Sequence, residues 1–202
     1  MNHYQIITDS GCDLPQSMIA SMNIRVQPLL VNFRGETLPD SVDAGVQEFY
    51  AGLRAGDVAT TSAINPEGWK TVIEPVLQEG KDALVVTFSS GLSTTYQSAV
   101  IAANDLKEQY PERTVQVVDT CAAALGQGLF VWYACKKRDS GASLEEMTAW
   151  AEENKHHVAH WFTVDDLVYL KRGGRVSATT AFVGTMMKIN QILGFWTLLI
   201  AH

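Results

Sequence analysis

The sequence has few cysteines, few charged residues and no long hydrophobic run. Its three cysteines, Cys12, Cys121 and Cys135, form no CxxC pair, which argues against a disulfide framework and against a zinc ribbon. The longest apolar run, residues 192–201, falls well short of the roughly 20 residues that a membrane-spanning helix needs. The first residues do not combine a basic region with a following apolar stretch, so we expect no signal peptide. Together these features predict a cytoplasmic protein.

Positive charge is also scarce. The chain has 15 Lys and Arg against 22 Asp and Glu, which gives a formal net charge of -7. Nonspecific nucleic-acid binding depends on neutralising phosphates, so we expect no nucleic-acid partner. The nucleotide-binding patterns G-x-x-x-x-G-K-[ST] and G-x-G-x-x-G do not occur, and neither does the zinc motif H-E-x-x-H. The sequence therefore predicts no metal site and no cofactor.

The patterns that are present indicate an α/β fold. Of the 202 residues, 47% are hydrophobic, and short β-branched runs alternate with longer helical patterns. We expect strands at residues 4–8, 24–33, 83–88 and 114–118, with helices between them. Ser143 and Glu146 form a capping box that opens a further helix. The predicted fold is a parallel sheet with flanking helices.

The composition shifts after that helix, near residue 158. Residues 161–164 are predicted to form a strand and residues 165–170 one or two helical turns, followed by the basic glycine turn KRGGR at residues 171–175. We therefore expect two domains. Residues 1–158 form the N-terminal α/β domain, and residues 159–202 form the beginning of a second one.

Polar side chains follow several predicted strands. In open α/β sheets, ligands bind beyond the carboxyl ends of the strands, where loops lead into helices. We expect hydroxyl and carboxylate groups from four separate segments to converge there. These groups are Asp9 with Ser10, Thr61 with Ser62, Ser89 and Ser90 with Ser93, and Asp119 with Thr120.

The loop at residues 89–95 is the most informative of these segments. Gly91 allows a close approach of the backbone to a ligand, and the helix that follows offers unpaired N–H groups and a positive dipole end. The loop therefore predicts an anion site. An equally weighted alternative is that Ser93 or Thr94 only caps the helix.

Two catalytic interpretations find little support. Asp9 and Asp13 suggest an aspartyl nucleophile, but Asp13 is better explained as a helix cap. A serine hydrolase is not supported, because the sequence contains no G-x-S-x-G elbow and does not bring a histidine near Ser90 or Ser93. The basic turn with Lys171, Arg172 and Arg175 is compatible with a bound carboxylate or phosphate and equally with a solvated turn.

Taken together, these motifs resemble the DegV family of bacterial fatty-acid-binding proteins. The resemblance rests on ITDS and DLP near the N-terminus, Thr61-Ser62, SSGLSTTYQSA at residues 89–99, residues 118–119, and DDLVYLKRGGRVS at residues 165–177. It implies a long-chain fatty acid buried between two α/β domains. The implied carboxylate ligands are Thr61, Ser62, Ser90, Ser93, Arg172 and Arg175, supported by Asp9, Ser10, Ser89 and Asp119.

The resemblance also implies a partner. Members of this type deliver the bound acid to a separate ATP-dependent fatty acid kinase subunit, and the acyl phosphate feeds phospholipid synthesis. We therefore expect no stand-alone catalysis from this chain.

The chain departs from the family pattern in two places. Thr94 stands where the family usually has Gly, and residues 194–202 resemble nothing in the family, which implies a truncated second domain. The alternative to a lipid carrier is a remnant that acts only as an interaction module, and a serine hydrolase is a distant third. Because residues 192–200 are strongly apolar, we expect this tail to fold back on the N-terminal domain or to pair with a second copy in a homodimer.

Overall fold

A computed structural model of the chain describes residues 4–40, 45–159, 161–163, 167–176 and 192–194. The chain divides into two compact units, Met1–Val158 and Ala159–His202. The first unit carries most of the described structure. In the described residues, no helix is long and apolar enough to cross a membrane.

The first unit contains two sheets. The strands are β1 Tyr4–Asp9, β2 Arg25–Gln27, β3 Leu30–Phe33, β4 Glu36–Pro39, β5 Ala59–Ser62, β6 Asp82–Thr87 and β7 Val115–Asp119. One sheet has four parallel strands in the order β2-β1-β6-β7. The other has three antiparallel strands in the order β4-β3-β5. The helices are α1 Gln16–Ser21, α2 Val46–Ala55, α3 Pro66–Gln78, α4 Thr95–Gln109, α5 Ala124–Asp139 and α6 Leu144–Asn154.

The two faces of the parallel sheet are covered by different helices. Successive residues of a strand face opposite sides, so Ile6 and Ile7 enter two separate core clusters. On one face Ile6 packs with residues of α5 and α6, including Phe130 and Met147. On the other face Ile7 packs with α3 and α4, where Trp69 is fully buried. This arrangement confirms the predicted parallel sheet flanked by helices.

The antiparallel sheet differs from the sequence-based prediction in two places. The single strand expected at residues 24–33 is split, because Pro28 between β2 and β3 has no N–H group to continue a ladder. Thr61 and Ser62, expected at a strand end or helix start, are the last two residues of strand β5, a strand that the sequence pattern did not predict. Arg34 and Gly35, whose φ angles are 51° and 83°, form the tight turn between β3 and β4.

Helix ends follow the sequence signals in one case and not in another. The capping box at α6 is confirmed, since Glu146 N donates to Ser143 Oγ at 3.1 Å and Ser143 N donates to Glu146 Oε2 at 2.8 Å. The expectation that Asp13 caps α1 is wrong. The N-cap position belongs to Pro15, and Asp13 ends a 3₁₀ turn at Ser10–Cys12 in the left-handed conformation.

In the second unit, strands β8 Trp161–Thr163 and β9 Ile192–Gly194 pair antiparallel. Helix α7, Leu167–Arg172, leads into the basic glycine turn, where Gly174 has a φ of 75°. Of the apolar tail at residues 192–200, which we expected to fold back or to dimerise, residues 192–194 form β9 and the rest lies outside the described residues.

Candidate functional site

Asp9 ends strand β1 with its carboxylate fully buried at the carboxyl edge of the parallel sheet. One oxygen accepts hydrogen bonds from Gly11 N at 3.0 Å and from Gln127 Nε2 at 3.1 Å, and the other accepts from Phe88 N at 2.7 Å. Burial raises the pKa of Asp9 to about 6, although the hydrogen bonds from these three donors partly oppose the shift. Asp9 thus fixes the backbone at the start of the serine-rich loop.

Asp119 has a similar role at the end of strand β7. Its Oδ1 atom accepts from Ser90 N at 3.1 Å and from Cys121 N at 3.0 Å. The neighbouring Thr120 is buried and its hydroxyl donates to Thr87 O at 2.8 Å, which ties β7 to β6. The two aspartates therefore hold the serine-rich loop from two strands, and their expected support of a bound carboxylate stays a prediction.

Ser89 shapes the loop from within. Its side chain is almost completely buried, and its Oγ atom accepts from Gly91 N at 3.2 Å. Its carbonyl oxygen accepts from Leu92 N at 3.1 Å and from Ser93 N at 3.2 Å. Ser89 thus accepts hydrogen bonds from several backbone N–H groups of the loop, so side-chain hydroxyls are the main donors left for an anion.

Ser90 and Ser93 are the two half-buried serines of this loop. Ser93 Oγ accepts from Thr95 N at 3.2 Å and lies 2.8 Å from Thr95 Oγ1. Ser93 therefore does bond the start of helix α4, as the capping alternative supposed, while Thr94 at the N-cap position makes no side-chain cap bond. A half-buried hydroxyl that is held at a helix start is also suited to donate to a carboxylate.

Thr61 and Ser62 lie on the antiparallel sheet. Thr61 is exposed and pairs with Val31 of strand β3, and Ser62 Oγ accepts from Asn32 Nδ2 at 3.1 Å. Asn32 is oriented in turn by Thr37 Oγ1, which donates to its Oδ1 atom at 2.7 Å. These bonds tie the Thr-Ser pair to β3, so its expected convergence with the serine-rich loop stays a prediction.

Ser10 connects the two sheets. Its hydroxyl donates to Asp40 Oδ2 at 2.7 Å and accepts from Leu29 N at 2.9 Å. A cavity of about 530 Å³ opens beside this pair, close to α1 and β2. Its lining includes Ser10 and Asp40 together with the aliphatic side chains of Leu14, Ile19, Ile24 and Val26.

Arg172 and Arg175 belong to the second unit and are exposed. The Arg172 guanidinium lies 5.6 Å from the centroid of the Tyr169 ring, and Arg175 Nη1 donates to Gly173 O at 2.6 Å. Their expected contact with a carboxylate stays a prediction.

Sequence reasoning missed Gln127 and Thr95, which are both fully buried. Gln127 Nε2 donates to Asp9 Oδ1 and to Thr8 Oγ1, at 3.1 Å each, while its Oε1 atom has no partner among the described residues. Gln127 lies within a mostly apolar helix, so only the polarity of that one position was available as a signal. Across the described part of the chain, no group of three or more His, Cys, Asp or Glu side chains is arranged to hold a metal ion.

The fold is of the open α/β class, with serine hydroxyl groups beyond the carboxyl ends of parallel strands, which is the edge where ligands bind in such folds. The chain belongs to the DegV family, because a family model described as "Uncharacterised protein, DegV family" matches residues 3–197.

Three relatives illustrate this membership. A DegV domain-containing protein of Clostridium perfringens is 40% identical over 195 residues, which cover 96% of this chain and 67% of the relative. A DegV family protein from Thermus thermophilus, whose solved structure is described as fatty acid binding, is 35% identical with a TM-score of 0.83, covering 95% of this chain and 67% of that one. DegV from Bacillus subtilis, a fatty acid binding protein, is 29% identical with a TM-score of 0.80, covering 96% and 68%. The chain thus spans about two thirds of the length of these relatives.

Proposed function

We propose that this chain binds a long-chain fatty acid and holds its carboxylate with the hydroxyls of Thr61, Ser62, Ser90 and Ser93. The observation that carries the proposal is the half-buried Ser93 hydroxyl, in a loop that Asp9 and Asp119 hold from the ends of two strands. The fatty-acid-binding relatives from Thermus thermophilus and Bacillus subtilis support this choice of anion.

The chemistry of the groups fits a fatty-acid head group. A carboxylate accepts several hydrogen bonds, and hydroxyl donors satisfy it without adding further charge. Arg172 and Arg175 assist in this proposal by supplying positive charge. Each buried methylene of the acyl chain contributes about 0.8 kcal/mol, so the tail supplies most of the affinity while the hydroxyls determine which head group is accepted.

The proposal extends to a partner. The sequence contains no phosphate-binding loop motif, so we propose that ATP is supplied by a separate fatty acid kinase subunit that phosphorylates the presented carboxylate. In this scheme the chain is a cytoplasmic carrier without catalysis of its own. Residues 1–158 act as the N-terminal domain, and residues 159–202 as part of a lipid-covering one.

The test is fatty-acid binding by matched variants. We expect native mass spectrometry of the protein from a bacterial host to show a bound fatty acid. Ser93→Ala and Thr61→Ala should each weaken palmitate binding by about 1–3 kcal/mol, because an ionised acceptor loses a donor. The matched controls are Thr94→Ala and Thr60→Ala, which remove neighbouring exposed hydroxyls and should leave affinity unchanged. Unchanged affinity in both site variants would remove this assignment.

A second candidate is an interaction module that binds no lipid. Wild-type protein that carries no fatty acid and takes up neither palmitate nor oleate would support this second candidate. A serine hydrolase ranks third, and it would gain support only if p-nitrophenyl ester hydrolysis were lost in Ser93→Ala.

A further inference from the structure

Thr95 is the buried neighbour of the proposed carboxylate ligand Ser93. Its side chain is 0% exposed, and its Oγ1 atom lies 2.8 Å from Ser93 Oγ, where either hydroxyl is able to act as the donor. The backbone around Thr95 is fixed on both sides. Thr95 N donates to Ser93 Oγ at 3.2 Å, and Thr95 O accepts from Trp69 Nε1 at 3.1 Å.

The direction of the bond between the two hydroxyls follows from counting donors and acceptors. A hydroxyl has one proton to donate and two lone pairs to accept. If Ser93 donated to Thr95, the proton of Thr95 would be buried without an acceptor among the described residues, which is unfavourable. If Thr95 donates instead, Ser93 accepts from both Thr95 N and Thr95 Oγ1, and the proton of Ser93 is left for a ligand.

We propose that Thr95 is a positioning residue that makes Ser93 an obligatory hydrogen-bond donor, so that the site selects a carboxylate over a hydroxyl head group. The inference rests on the proposed function, because it requires Ser93 to contact the head group. A carboxylate only accepts hydrogen bonds and matches a Ser93 whose lone pairs are both occupied. A fatty alcohol would gain from donating its own proton to Ser93, and Thr95 blocks that bond.

Thr95→Val tests the proposal, because it keeps the shape of the side chain and removes the hydroxyl. The affinities of tetradecanoate and 1-tetradecanol are measured by displacement of a fluorescent fatty acid. We expect the preference for the acid to fall about tenfold, the scale of one hydrogen bond, because the acid binds more weakly while the alcohol gains an acceptor. Thr95→Ser keeps the hydroxyl and should keep the wild-type ratio.

Two further variants separate this role from damage to the helix start. If Thr95→Val does not fold, the ratio of acid affinity to alcohol affinity is measured in Thr95→Ala instead. In a Ser93→Ala background, Thr95→Val should not change the ratio further. Equal weakening of both ligands by Thr95→Val, or no change in either, would overturn the role of Thr95 even where the wild-type protein binds tetradecanoate. Failure of the wild type to bind tetradecanoate would overturn the proposed function itself, and this inference with it.

Discussion

The two sheets of the first unit hold the proposed ligand groups in different ways. Strand β1 of the parallel sheet is buried over its whole length, and only the first residue of β6 is partly exposed. In the antiparallel sheet every residue of β4 is exposed, and the two middle residues of β5 are exposed between half-buried ends. The serine-rich loop is thus attached to a buried framework, and the Thr-Ser pair lies on a largely exposed one.

The hydrogen bonds of the two regions differ in the same direction. Asp9 and Asp119 hold the serine-rich loop through backbone N–H groups, and Asp9 is fully buried. Ser62 is oriented by the amide of Asn32, which is half-buried, and Asn32 is oriented in turn by an exposed hydrogen bond from Thr37. Because water competes for exposed hydrogen bonds, hydroxyl groups of the same chemical type are expected to differ in how firmly they are positioned.

The largest expected effect comes from the core beneath the serine-rich loop. Trp69→Ala should lower the free energy of unfolding by about 3–5 kcal/mol, because the indole is fully buried and donates to Thr95 O. The matched change in the antiparallel sheet, Leu38→Ala, removes a side chain that is 45% exposed. It should cost less than about 0.5 kcal/mol in urea unfolding. Equal costs would contradict the contrast between the two sheets.

The next effect is a pH dependence that originates at Asp9. Its pKa is about 6 in the folded protein, above the ordinary value of 3.8, so the folded state binds more protons than the unfolded state between these values. The contribution of Asp9 to stability is therefore fully present below pH 4 and is lost as the pH rises through 6. By linkage the loss is about 3 kcal/mol.

The difference between wild type and Asp9→Asn in urea unfolding from pH 4 to pH 7 measures this contribution. The control is Asp57→Asn, at a carboxylate between α2 and β5 that is paired with Arg34 of the β3–β4 turn; this variant should keep the decline of stability with pH that the wild type shows. If the stabilities of the wild type and of Asp9→Asn change with pH in parallel, burial does not raise the pKa of Asp9.

The smallest expected effect concerns the exposed framework. Asn32→Ala removes the donor to Ser62 Oγ and should cost less than about 1 kcal/mol in stability. Palmitate binding, measured by calorimetry, should weaken by less than in Ser93→Ala. Asn32→Asp is the matched variant, because it keeps the acceptor for Thr37 and loses the donor to Ser62. If Asn32→Ala weakened binding more than Ser93→Ala, the exposed sheet would be the more important part of the site.

The fold was predictable where the signals are local. The apolar run of β6 and the capping box at Ser143 each lie within a few residues of sequence, and the structure confirms both. The split at Pro28 was also open to prediction, because proline interrupts strand pairing. Strand β5 carries only polar and small residues, so it lacks the alternation that marks a half-buried strand.

The details of the site depend on distant contacts, which a sequence pattern does not contain. The carboxylate of Asp9 is bonded by groups 79 and 118 positions further along the chain. The predicted site residues Ser90 and Ser93 were found from their loop motif. The roles of Gln127 and Thr95 depend on which buried atoms they meet.

The parallel pairing of β1 with β6 has a consequence for how the protein folds. Parallel neighbours need a crossover connection, and here Thr8 and Val86, which are partners in the ladder, lie 78 positions apart. Closing such a long loop costs entropy before the contact is gained, so topologies of this kind fold slowly. In a nascent chain, Asp9 leaves the ribosome long before Phe88 and Gln127, which complete its hydrogen bonds. The proposed binding edge is therefore assembled late, although the residue at its centre is among the first to be synthesised.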